Sequence, residues 1–153
     1  MKRVLVAVDG AKGGHACIET CVRIFADRPP PTVILLHVLR YGGATDVDDM
    51  SNDAELAELR KTLEGSPQMD ELKAKAEPML AATRAAFETR GFHDVQTVTK
   101  SGRPAEGILE GAAECGAELI VIGNTRGLMD KLMMGDVVEQ VTKGATVPVL
   151  LAR

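Results

Sequence analysis

Tryptophan is absent from this chain, and one tyrosine and three phenylalanines hold the aromatic content to 3% of 153 residues. Stacking platforms for single-stranded nucleic acid or for sugar rings are therefore disfavoured. An excess of positive charge is also missing: 18 basic residues stand against 22 acidic ones, for a formal net charge of −4. That balance leaves no electrostatic footprint for duplex DNA or an anionic membrane. Long apolar runs are lacking as well. The stretch from Val4 to Val8 is cut by Asp9-Gly10, whereas a signal-peptide core needs about 7–15 apolar residues and a membrane helix about 20. No targeting segment is expected, and the expected location is cytoplasmic.

The 3 cysteines make no paired framework. Cys17 and Cys21 have three residues between them, which is not the redox or zinc spacing, and no histidine–cysteine cluster accompanies them. They read as small buried hydrophobes in a reducing compartment. Neither the P-loop pattern nor G-x-G-x-x-G is present, which disfavours P-loop nucleotidases and dinucleotide dehydrogenases. His15, His37 and His93 are scattered over a helix start and two strands with no evident nucleophile partner, so no catalytic residues are expected.

What is present is one domain's worth of core, with 45% hydrophobic and 26% charged residues. Continuous apolar runs of the kind that fill doubly covered strands occur at residues 3–8, 32–39, 118–122 and 147–152, with a further strand predicted at 93–99. Helical periodicity lies between them. Ile18, Cys21, Val22 and Phe25 mark a first helix, stopped by Pro29, Pro30 and Pro31. Leu72, Ala76, Leu80, Thr83 and Phe87 stripe a second over 67–90, in which Pro78 predicts a kink or a boundary. Residues 104–115, with Pro104 in the first turn, and 137–143 supply two more. The alternation predicts an α/β fold: a single domain over 1–153, an open five-stranded parallel sheet with helices on both faces, Rossmann-like.

Residues 40–66 interrupt the pattern and read as a mobile insertion. Its acidic set, Asp46, Asp48, Asp49 and Asp53, does not make a calcium loop, because Ser51 and Ala57 stand where glycine and glutamate are needed. No metal site is expected.

Parallel sheets of this type place ligands beyond the carboxyl ends of their strands, where strand order reverses. Asp9-Gly10, Val38 and the loop from Gly123 to Asp136 are the residues to inspect. Glycines let backbone approach a ligand closely, and the start of the following helix favours phosphate. A plain turn followed by a capped helix accounts for the same spacing equally well. Met129, Met133 and Met134 read as adaptable core or interface filler.

Four stretches together, VLVAVDG at 4–10, LLHV at 35–38, SGRPAEGILEGAAECGAELIVIG at 101–123 and GATVPVLLA at 144–152, resemble the universal stress protein family. The resemblance implies an adenine-nucleotide-binding α/β fold with five parallel strands. Many members bind ATP, and many form homodimers through their last strands, here residues 147–151 with Val147, Val149, Leu150 and Leu151. The ligand set it implies is Ala7, Asp9, Val38, Ile122, Gly123, Arg126, Gly127, Gly135, Asp136 and Val137, with Asp9 and Val38 around the base and the glycines near ribose and phosphates.

This chain departs from the family's nucleotide loop. Between Gly123 and Gly135 it is one residue shorter than the usual pattern, with the inner glycine displaced to Gly127. Asp136 replaces the usual Ser or Thr, and Ala11 replaces a frequent Ser. A carboxylate at ~5 Å from a phosphate, at an effective dielectric of ~20, costs roughly 3 kcal/mol. Arg126, Lys131, Lys12 or Mg²⁺ would have to screen it. Asp136 would alternatively cap the helix at Val137. Two functions follow: a cytoplasmic stress-response protein holding ATP, with or without Mg²⁺, as a regulatory ligand, or a nucleotide-free dimeric regulatory module in which Asp136 caps the helix and blocks the phosphate site.

Overall fold

The computed structural model describes residues 1–9, 11–39, 67–123 and 130–153, with side chains at all of these except 11–13 and 130–136. The acidic insertion at 40–66, Gly10, Arg126 and Gly127 lie outside the described residues. Among the described residues nine elements alternate: β1 (Arg3–Ala7), α1 (Ala11–Ile24), β2 (Thr32–Leu39), α2 (Pro67–Thr89), β3 (Val95–Ser101), α3 (Pro104–Cys115), β4 (Leu119–Gly123), α4 (Asp130–Gly144) and β5 (Val149–Ala152).

The strands form one sheet in the order β3-β2-β1-β4-β5, every neighbouring pair parallel. The chain therefore winds outward through β2 and β3, returns to the other side of β1, and winds outward again. The expected five-stranded parallel sheet is what forms. Its order reverses between β1 and β4, where Ala7 lies opposite Ile122.

Side chains alternate across a strand, so each central strand feeds two cores. Val4, Val6, Val33, Leu35 and Val121 pack with Cys17, Ile18 and Cys21 of α1 and with Leu80 and Phe87 of α2. On the opposite face Leu5, Leu36, Ile120 and Ile122 pack with Ala105, Ile108 and Ala112 of α3 and with Val137 and Val141 of α4. Burial on both faces is why these strands read as unbroken apolar runs.

Helix boundaries show local chemistry and tertiary packing in turn. α3 starts as expected, with Pro104 in its first turn, and stops at Gly116, whose φ of 64° is left-handed. α2 runs unbroken through Pro78, so that proline is not a boundary. A helix-interior proline costs about 3 kcal/mol, and the buried stripe of Met69, Ala76, Leu80, Thr83 and Phe87 outweighs it. Met69 belongs to that stripe where Leu72 was expected; Leu72 is only half-buried.

The larger correction concerns α4. The pattern predicts its start near Val137, with Asp136 as cap, whereas the helix already begins at Asp130. Gly135 and Asp136 thus lie in its second turn, and Asp136 is not the N-cap. The physical reason is that Lys131, Leu132, Met133 and Met134 are good helix formers, while one interior glycine costs only about 1 kcal/mol.

Cys17 and Cys21 lie one turn apart on the buried face of α1. Burial pushes both thiols up to about 12, and for Cys21 the neighbouring Cys17 adds to the rise. Thiolate, the reactive form, is then scarce at mildly alkaline pH. Titration of the native protein with an aromatic disulfide reagent at pH 8 is expected to modify one thiol per chain rapidly, the half-buried Cys115. The other two react only on denaturation; rapid reaction of all three in the native state would contradict this placement.

Candidate functional site

A cleft opens at the carboxyl end of the sheet, beside the reversal. Its lining comes from Ala7 at the end of β1, Val8 and Asp9 after it, Leu36 and Val38 on β2, Ile122 on β4, Pro104 and Ile108 on α3, and Val137 on α4. It takes in about 350 Å³, counting the space open to solvent. Among the described residues Asp9 is the sole ionisable one of that lining and is exposed; the described walls around it are aliphatic. Such walls offer apolar contact, and the carboxylate accepts hydrogen bonds from an amine or hydroxyl.

Each wall has a local cause. β2 ends in alternating residues, so Leu36 and Val38 face the same way and present their branched side chains to α3 and the cleft. Helix α3 approaches β2 closely because it has glycine where it crosses. A methyl group added at Gly107 would stand 2.8 Å from Val38 Cγ2, and one at Gly111 would stand 2.5 Å from Leu36 Cδ1. Pro104 and Ile108, one turn apart, are carried to the cleft by that same close crossing.

The segment that carries Asp9 is tied to β2 twice. The Val8 amide donates to the Leu36 carbonyl at 2.8 Å. Its own carbonyl lies 2.7 Å from His37 Nδ1; a carbonyl only accepts, so the imidazole donates through Nδ1.

Of the residues read from the sequence, the fold brings Ala7, Asp9, Val38, Ile122 and Val137 together around the cleft. Gly123 follows Ile122 as the last residue of β4, level with Ala152 of β5. Arg126 and Gly127 lie outside the described residues, and Gly135 and Asp136 stand within α4. Val8, Leu36, Pro104 and Ile108 were not anticipated. The glycines at 107 and 111, four apart on one face of a helix, were the available signal that α3 presses on the sheet.

Among the described residues no group of three or more histidine, cysteine, aspartate or glutamate side chains is placed to hold a metal ion. Among them, too, no helix is long and apolar enough to cross a membrane.

A parallel sheet whose order reverses beside an aliphatic cleft defines an α/β fold of the Rossmann-like class. Residues 1–153 match the universal stress protein family, and the chain belongs to that family. It is 29% identical over 161 residues to universal stress protein YxiE of Bacillus subtilis (strain 168), covering 99% of this chain and 98% of that one. Among solved structures, it resembles a universal stress protein in complex with cAMP at a TM-score of 0.66 and 19% identity, over 99% of this chain and 96% of the other. It also resembles the universal stress protein of Archaeoglobus fulgidus in complex with dAMP at a TM-score of 0.63 and 20% identity, over 100% and 98%.

Proposed function

We propose that this chain is a stress-response protein that holds ATP or another adenine nucleotide in the cleft as a regulatory ligand. The observation that carries this reading is the aliphatic slot at the strand reversal with one carboxylate, Asp9, at its rim. Two relatives of the same fold are described in complex with adenine nucleotides, which supports it. Adenine offers an exocyclic amine to Asp9, whereas guanine turns a carbonyl toward the corresponding position and meets lone-pair repulsion. Leu36, Val38, Ile108 and Ile122 supply apolar surface for the ring. Gly123, Gly127 and Gly135, with nearby basic residues, are the sequence-derived candidates for ribose and phosphates, with Mg²⁺ as an accessory counter-charge.

The reading includes no catalytic step, because among the described residues no second acid or base accompanies Asp9 in the lining. It includes a homodimer formed through residues 147–151: β5 is an edge strand whose Val149, Leu150 and Leu151 are half-buried, and an apolar edge invites pairing. It places the protein in the cytoplasm.

Isothermal titration of protein at about 100 μM, where sites near −5.5 kcal/mol still give heat, tests the ligand. ATP with Mg²⁺ is expected to bind and GTP to bind at least about tenfold more weakly. Absence of heat with ATP, AMP and cAMP alike would overturn the proposal. Sedimentation at micromolar concentration is expected to show twice the 16.3 kDa chain mass.

A further inference from the structure

Leu36 and Val38 line the cleft, and the residue between them faces the other side of the sheet. That residue, His37, reaches across to β1 and donates from Nδ1 to the Val8 carbonyl at 2.7 Å. We propose that His37 is a positioning residue for the ligand cleft, a latch that fixes the peptide leading into Asp9; the ligand half of this inference rests on the nucleotide reading above.

The argument is one of backbone geometry. A peptide unit is planar, so fixing one of its polar groups orients the whole plane. The Val8 amide, held by the Leu36 carbonyl at 2.8 Å, orients the plane that joins Ala7 to Val8. Beyond Ala7 the strand has ended, and the next plane, joining Val8 to Asp9, takes its orientation from the bond that its carbonyl accepts from His37. Two consecutive planes anchored to β2 leave the Asp9 Cα a single position beside the cleft. Without the second anchor that plane loses a restraint, and the binding-competent arrangement becomes less populated, which weakens apparent affinity by that lost population. Asparagine has a side-chain N–H at nearly the same reach as Nδ1, whereas leucine has bulk but no donor.

Three measurements test this. In the unmodified protein, nitrogen-15 spectra of the neutral His37 ring are expected to show Nδ1 protonated and Nε2 bare; the opposite tautomer overturns the latch without any variant having to fold. In His37→Leu, amide exchange at Val8 and Asp9 is expected to quicken about tenfold, while β3 amides keep their rates. ATP affinity, measured well below the melting temperature, is expected to weaken about fivefold. His37→Asn is expected to restore both. A merely structural role would lower the melting temperature of His37→Leu and leave exchange at 8–9 and affinity in the folded state unchanged, and that result overturns the inference. So does His37→Asn behaving as His37→Leu does. Should unmodified protein bind no ATP, the nucleotide reading fails, while the tautomer and exchange results still decide the latch.

Discussion

Phe87→Ala is expected to lower the melting temperature by about 6–20 °C. The ring is fully buried and meets Phe92 edge to face, with centroids 5.2 Å apart and planes at 87°. Removing a core phenylalanine costs about 3–5 kcal/mol from lost transfer energy and the cavity left behind. Each kcal/mol shifts the midpoint by about 2–4 °C in a domain of this size. The chain has few ways to relax into the gap. Phe87 packs in the core between α1, α2 and the sheet, and the ring it meets, Phe92, is itself buried and has little room to move into the gap. Scanning calorimetry measures the shift, and one below about 3 °C would show that this corner of the core is far looser than its packing indicates. Ligand affinity in the folded variant is expected to be unchanged, because Phe87 is not among the residues that line the cleft.

Gly107→Ala is expected to reverse that pattern, costing affinity more than stability. Alanine in place of a helix-interior glycine gains about 1 kcal/mol in helix propensity. Against this, its methyl would lie 2.8 Å from Val38 Cγ2 and 3.3 Å from Cγ1. Valine is stiff about χ1 and cannot swivel aside, and overpacking of this kind costs about 1–3 kcal/mol. The two terms nearly cancel in stability, for a net loss of about 0–2 kcal/mol. What remains is a displaced Val38, and Val38 is a wall of the cleft. Nucleotide binding is expected to weaken about tenfold or more, as a shift of a fraction of an ångström narrows the cleft. Val38→Ala in the same chain removes the colliding methyls and is expected to recover most of the loss. If the single variant binds as the unmodified protein does, Val38 does not bear on the ligand. Gly111→Ala presses instead on Leu36, which is only 1% exposed, and is expected to be the more destabilising of the two glycine changes.

Much of this architecture was legible because burial and period agreed. The strand at 32–39 and the helix at 104–115 have the boundaries that TVILLHVL and the Pro104–Gly116 punctuation predict. The strands predicted at 93–99 and 147–152 instead start two residues later, at Val95 and Val149, the former ending at Ser101 and the latter at Ala152 as predicted. The alternating, largely exposed Gln96, Thr97 and Thr99 of the former give weak terminal signals at a sheet edge. The start of α4 was not legible, since glycines at 127 and 135 suggested a loop while the intervening side chains favoured helix. Half of the cleft was legible for a similar reason: residues at strand ends, such as Asp9 and Ile122, follow from topology. Pro104 and Ile108 reach it only through the tilt and closeness of α3, which depend on contacts between distant parts of the chain.

The sheet is a partition one residue thick between two side-chain layers, and the cleft borders mainly one of them, with Val8 coming from the other. α1 and the outer surface of α2 therefore offer ground for optical labels or surface engineering that leaves the ligand side undisturbed. Because the natural chain has no tryptophan, a single indole introduced there would report on the rear layer alone. Any change in its emission when the cleft fills would have to be conducted through the strands themselves.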